Sequence, residues 1–154
     1  MTVEIIPADH FSTQELTDLY NQTRVDYLVS MPMNADRLNE YIHDYDVDLH
    51  HSCVARHADG QVLGLSMLGF RHQTAWITRL GVLPVTRRTG AGSVLMHSML
   101  ANAAALGAKE IHLEVIKNNA PAYNLFLKTG FIEKDTYLVM RHAPRPMTMP
   151  LQDE

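Results

Sequence analysis

Residues 85–96 read Val85-Thr86-Arg87-Arg88-Thr89-Gly90-Ala91-Gly92-Ser93-Val94-Leu95-Met96. Two arginines lead into two glycines spaced by one residue, and an apolar run follows. The first N–H groups of a helix lack internal partners and carry partial positive charge. Gly90 and Gly92 take away side chains that would keep a ligand off that backbone, and Arg87 and Arg88 add fixed charge beside it. Such a turn suits a phosphate or pyrophosphate. No Gly-Lys-Ser/Thr follows, so the stretch is not a P-loop. It is not a dinucleotide-binding fingerprint either, because three strand-like runs precede it where that motif follows the first strand of a βαβ unit. A helix start kept small for packing is the alternative reading.

Working outward, the pattern before the turn is an antiparallel meander. Residues 51–57, 61–71 and 75–83 read as strands, joined by Asp59-Gly60 and by a tight turn at His72-Gln73, and stopped by Pro84. Upstream, residues 3–7 form a short strand ended by Pro7. Ser12 and Glu15 stand in capping-box spacing ahead of Leu16, Leu19, Tyr20 and Val25. Pro32 interrupts, and Asn34 caps a second helix carrying Leu38, Tyr41 and Ile42. Downstream, Val94 to Leu106 reads as a helix closed by Gly107, residues 110–116 as a strand, Asn119 to Gly130 as a helix and residues 131–141 as a last strand. The order β-α-α-β-β-β-α-β-α-β describes an α+β domain with a mixed, mostly antiparallel central sheet flanked by helices. It covers residues 1–142, and the Pro-rich stretch 143–154 reads as a tail or linker.

The 154 residues suit one domain with one core, and 46% apolar with 19% charged residues is ordinary for a globular chain. No apolar run is long enough for a membrane span. MTVEIIPADH lacks the basic head and apolar region of a secretory signal, and Cys53 has no partner for an internal disulfide. The cytoplasm is therefore the expected location, with Cys53 a packed, inert thiol. The net charge of −4 gives no sign of a nucleic-acid binder. Residues 1–60 hold 11 Asp/Glu against 3 Lys/Arg, and the remainder hold 6 against 10. Either these are two solvated faces, or the basic part meets an anion and the acidic part a cation. Nine histidines raise the question of a metal. His50 and His51 are adjacent and point apart on a strand, and no HExxH or Cys-x-x-Cys occurs, so no metal site is expected.

Val82-Leu83-Pro84 through Gly92 resembles the acyl-CoA motif of the Gcn5-related N-acetyltransferases, Arg/Gln-x-x-Gly-x-Gly/Ala, with Arg87, Gly90 and Gly92 as the matching residues. Leu113-Glu114-Val115, Asn119, Ala122, Leu125-Phe126 and Gly130-Phe131 resemble the family's second half-motif about thirty residues on. The motifs are closest to the ribosomal-protein-alanine acetyltransferase type, and the element order fits the family fold over residues 1–141.

The resemblance implies acetyl-CoA as co-substrate, with its pyrophosphate on the backbone of Arg88, Thr89, Gly90, Ala91, Gly92 and Ser93 and with Arg87 nearby. The pantetheine arm would add like a strand along Leu80, Val82 and Leu83. Asn119 would touch that arm, and Phe126 is counted among the cofactor-contacting positions. The implied reaction is direct acyl transfer to an amine of a small molecule or peptide, without nucleic acid, membrane or metal; a homodimer is compatible with it. Glu114 is the implied base, with His112 on the same strand face as a substitute. Phe126 stands where the family has tyrosine and can donate no proton. Either Tyr123, one helical turn earlier, replaces that acid, or the thiolate leaves unassisted, or the domain binds acyl-CoA without turning it over. Tyr27, Met31, Trp76 and Arg79 are the candidate acceptor-binding residues. Met31 and Met33 fit core packing as well, and Arg79 would suit an acceptor that also carries a carboxylate.

Overall fold

The computed structural model describes residues 2–143. Most of the Pro-rich tail expected at 143–154 lies outside the described residues.

The local signals act where the sequence places them. β1 (Val3–Pro7) ends at its proline and passes through a 3-10 turn, Ala8–His10, toward α1 (Thr13–Gln22). The capping box closes at both ends: Glu15 N–H donates to Ser12 Oγ at 3.2 Å, and Ser12 N–H donates to the Glu15 carboxylate at 2.7 Å. α2 (Ala35–Asp44) starts on Asn34, whose Oδ1 accepts from Arg37 N–H at 2.8 Å. The meander is β2 (Cys53–His57), β3 (Val62–Arg71) and β4 (Thr74–Val82). His72 and Gln73 both take positive φ, 50° and 67°, which lets a two-residue turn match the twist of the strands it joins. α3 (Ala91–Ala105), β5 (Glu110–His112) and α4 (Ala120–Lys128) complete the order.

The five strands lie in sequence order, antiparallel except for the parallel pair β4–β5. α3 and α4 cover one face, where Leu95, Met96, Met99 and Phe126 pack on Leu68, Ala75 and Ile77. α1 and α2 cover the other, where Leu16, Tyr20 and Leu38 pack on Val54, Leu65 and Met67. Cys53 is buried and bonded by Asn102 Nδ2 at 3.5 Å, and burial pushes its thiol up to about 11.

Two expectations are corrected. β5 ends at His112 rather than at residue 116, and residues 131–143 form no strand. Ile132, Leu138, Val139 and Met140 are 85–96% exposed. A segment rich in β-branched and aromatic residues becomes a strand only against a partner edge, and β5 leaves the sheet too early to supply one. Val25, read as part of the first helix's apolar face, is exposed beyond the end of α1.

Candidate active site

The turn quoted first is held rigid from beneath. A 3-10 turn, Pro84–Thr86, follows β4, and the buried Thr86 hydroxyl contacts the carbonyls of Leu63 and Leu83 at 3.2 and 3.1 Å. Thr89 donates its hydroxyl to the Thr86 carbonyl. Arg88 takes φ +65° and Gly90 φ +90°, so the chain reverses sharply into α3. At Gly90 the left-handed backbone needs a residue without a Cβ. No side chain caps α3; its first internal bond runs from Val94 N–H to the Gly90 carbonyl at 3.1 Å. The amides of Ala91, Gly92 and Ser93 are thus left open at the positive end of a 15-residue helix. At Gly92 a Cβ would lie 3.4 Å from Leu125 and 3.6 Å from Val82, so the helix start, β4 and α4 converge there.

β4 leads away from that point with one edge open. It pairs with β5 only through Thr74–Trp76 against Glu110–His112, after which the two strands part. Leu65 faces Gly81 while Met67 faces Thr78, so β4 carries one extra residue. Arg79 sits in this bulge at φ +54°, a conformation uncommon for a residue with a side chain. Leu80 and Val82 pack against the core under α3, and Leu83 packs against the opposite core. On the diverging side, Glu114 is exposed and has no hydrogen-bond partner among the described residues. His112 is turned to Glu110 at 3.1 Å.

α4 sets the third wall. Asn119 spends its Oδ1 on the helix cap, accepting from Ala122 N–H at 3.4 Å. Tyr123 is exposed and donates its hydroxyl to Glu133 at 3.1 Å; that bond, with the carboxylate's charge, raises the phenol above its usual range. Phe126 is 7% exposed, edge-on to Phe131 with ring centres 6.3 Å apart.

The connection from α1 to α2 faces the bulge. Asn21 pins it by two bonds to the Met33 backbone, at 2.8 and 3.0 Å. Tyr27 stacks under the Arg24 guanidinium at 4.3 Å, and Met31 lines a cavity of about 240 Å³ beside Arg24. Arg79 lies over the Tyr41 ring at 4.1 Å. Trp76 stands at the root of the divergence and lies flat over Gly69, where a Cβ would be 2.0 Å from its Nε1. Arg87 is turned to Asp26, at 2.6 and 2.7 Å, and away from the open amides. The structure therefore brings the glycine turn against β4 and α4, sets Arg24 and Arg79 on the shared Tyr20 ring, and puts Tyr27 and Met31 beside Arg24; Glu114 lies past the end of β5.

Sequence reasoning passed over Arg24, Asp26, Tyr41 and Glu133. Arg24 had one signal, a cation in an acidic half. Asp26 pairs with a residue 61 positions away and Glu133 bonds across a helix terminus, so neither leaves a local trace.

A family model described as the acetyltransferase (GNAT) family matches residues 14–131. An uncharacterized N-acetyltransferase of Mycobacterium tuberculosis is 39% identical over 79 residues, 51% of this chain and 50% of that protein. The chain spans about half the length of the curated relatives it matches first. Among solved structures, Ard1 from Thermoplasma volcanium superposes with a TM-score of 0.72 at 20% identity, covering 88% of this chain and 86% of that one. AAC(6')-Iy in complex with a bisubstrate analog built on CoA superposes with a TM-score of 0.67 at 15% identity, covering 93% and 99%.

Proposed function

We propose, from the premise that the chain belongs to the acetyltransferase (GNAT) family, that it transfers an acetyl group from acetyl-CoA directly to the primary amine of a small molecule or peptide. The observation that carries the reading is the uncapped start of α3 at the end of a strand whose edge is open. The residues present fit a diphosphate: three free amides at a helix N-terminus, glycines at positions 90 and 92, and Arg88 exposed beside them. The free edge of β4 at Leu80 and Val82 fits an extended amide-bearing arm. Acetyl-CoA supplies the activated acyl group, and its thiolate, with a pKa of about 8.5, is a tolerable leaving group.

In this reading Glu114 takes the proton that the acceptor ammonium must lose. Its exposure on the segment just past the end of β5 lets it reach a solvent-borne substrate. Tyr123 returns a proton to the sulfur; a phenol is protonated at neutral pH, and the Glu133 bond raises its pKa further. Asn119 holds α4 in register, and its amide nitrogen remains available to the cofactor arm.

A second reading, a catalytically weak acyl-CoA-binding domain, draws on Phe126. That residue carries no hydroxyl and is buried in the core. Following free thiol while acetyl-CoA is mixed with a panel of amines separates the two readings. Thiol release above background with at least one amine is expected; saturable cofactor binding with no release for any amine would favour the second.

A further inference from the structure

Arg24 and Arg79 share the Tyr20 ring, with their guanidinium carbons 4.8 and 5.4 Å from its centre. Each also lies on a second tyrosine, Tyr27 for Arg24 and Tyr41 for Arg79, at 4.3 and 4.1 Å. Two cations this close would ordinarily be balanced by a carboxylate. None is present: among the described residues neither arginine makes an ion pair, and the Nε of each is buried without a partner. Their bonds are to neutral oxygens and are long, 3.4 Å from Arg24 to the Leu80 carbonyl and 3.5 Å from Arg79 to the Tyr20 hydroxyl. Asp26, two residues from Arg24, is already held by Arg87.

The space beside Arg24 explains the imbalance. Asn21, Arg24, Val25, Ser30, Met31 and Pro32 line the 240 Å³ cavity, and Arg24 is its one charged lining residue. Asn21 is occupied with the Met33 backbone, so Arg24 is the charged group available to a ligand, with the Ser30 hydroxyl beside it. Arg24 also touches the Leu80 carbonyl, on the stretch of β4 that borders the cleft. A planar guanidinium held between tyrosine rings presents its fork in a fixed direction, which matches a carboxylate. The bulge that holds Arg79 at φ +54° sets the second cation on the same Tyr20 ring as the first.

We propose that Arg24, backed by Arg79, is the carboxylate-recognition site of the acceptor, so that the preferred acceptor is an amine of free amino-acid size bearing a carboxylate and an apolar side chain. Val25, Met31 and Pro32 take the apolar part, and the carboxylate sits on the guanidinium beside the open edge of β4. The inference rests on the acetyltransferase reading above and names its substrate class.

The test is calorimetry of N-acetyl-leucine and N-acetyl-leucinamide binding to the CoA-saturated protein. No amine titrates in either compound, so only the carboxylate distinguishes them. The wild type is expected to bind the acid at least tenfold more tightly, and Arg24→Gln to bring the ratio close to one while acetyl-CoA binding persists. Arg24→Lys, which keeps the charge and loses the fork, gives an intermediate ratio and serves should the glutamine variant not fold. Equal affinities in the wild type, binding of neither compound, or a ratio that survives Arg24→Gln overturns the proposal. Failure of acetyl-CoA itself to bind the wild type would instead overturn the reading beneath it.

Discussion

Arg87 grips both carboxylate oxygens of Asp26, at 2.6 and 2.7 Å, and so ties the glycine turn to the α1–α2 connection. Its guanidinium also reaches the Thr23 carbonyl at 3.3 Å. The arginine at the first motif position is therefore engaged with the α1–α2 connection, which under the proposed function leaves Arg88 as the exposed cation for the diphosphate. Arg88→Gln is expected to weaken acetyl-CoA binding about 3–10-fold, in keeping with the loss of one exposed charge-assisted contact. Arg87→Gln should act chiefly on the acceptor KM. Titrations of both variants check this; a larger loss of cofactor affinity in Arg87→Gln would reverse the assignment.

The same pair sets a pH dependence. The Arg87 bond holds the Asp26 carboxyl below the usual carboxylate range and raises Arg87 in turn. A carboxylate whose folded pKa is depressed contributes stability above its unfolded pKa, and that contribution is lost as pH falls through the depressed value. Wild type should thus exceed Asp26→Asn in Tm at neutral pH, with the gap closing below about pH 4. A gap that is unchanged down to pH 2 would contradict the tether.

Gly81 allows the end of α1 to settle on β4. A Cβ there would lie 2.3 Å from Thr23 Oγ1, too close for any rotamer of a buried threonine to relieve. Gly81→Ala should therefore destabilise by about 1–3 kcal/mol, as overpacking does, lowering Tm by roughly 3–10 °C. Thermal unfolding followed by circular dichroism measures it, and Thr23→Ala in the same chain should restore only part of the loss, because the Thr23 Cβ is itself 2.7 Å from the added Cβ.

Glu114→Gln should lower kcat about 10²–10³-fold with little change in acetyl-CoA affinity, the range for removing a general base. Tyr123→Phe should lower kcat less, because the thiolate can leave unassisted. An unaltered kcat in either variant would remove that residue from the chemistry. Glu133→Gln, which frees the Tyr123 hydroxyl from a charged acceptor, should shift the alkaline limb of the rate profile downward.

Cys53 should be silent toward thiol reagents in the folded protein. With its pKa near 11 the thiolate is about one part in a thousand at pH 8, and the residue is 2% exposed. Alkylation should appear only when the chain unfolds.

The meander, both caps and the glycine turn were legible because their signals are local. Asp59-Gly60, Ser12 with Glu15, Asn34 and Gly90 each act within four residues of themselves. The failures share the opposite character. The strand expected over 131–141 depended on an edge that β5 does not provide, and apolar alternation in the segment carries no information about that edge. Arg79 was singled out, but its place in a bulge beside Arg24 follows from the register between β3 and β4. The Arg87–Asp26 pair left no trace in the sequence for a similar reason: the partner lies in another part of the chain altogether.

The central claim is that the open amides at the start of α3 bind the diphosphate of acetyl-CoA. Gly92→Glu tests it most directly. A carboxylate in the first turn suits the helix dipole, and a Cβ at this position meets Leu125 and Val82 at ordinary contact distance; Tm measured alongside, with Gly92→Ala as the control for the added Cβ, separates loss of the site from loss of the fold. Calorimetry should record saturable acetyl-CoA binding in the wild type and none in Gly92→Glu at equal Tm. Equal affinity in the two proteins would place the cofactor elsewhere and contradict the account.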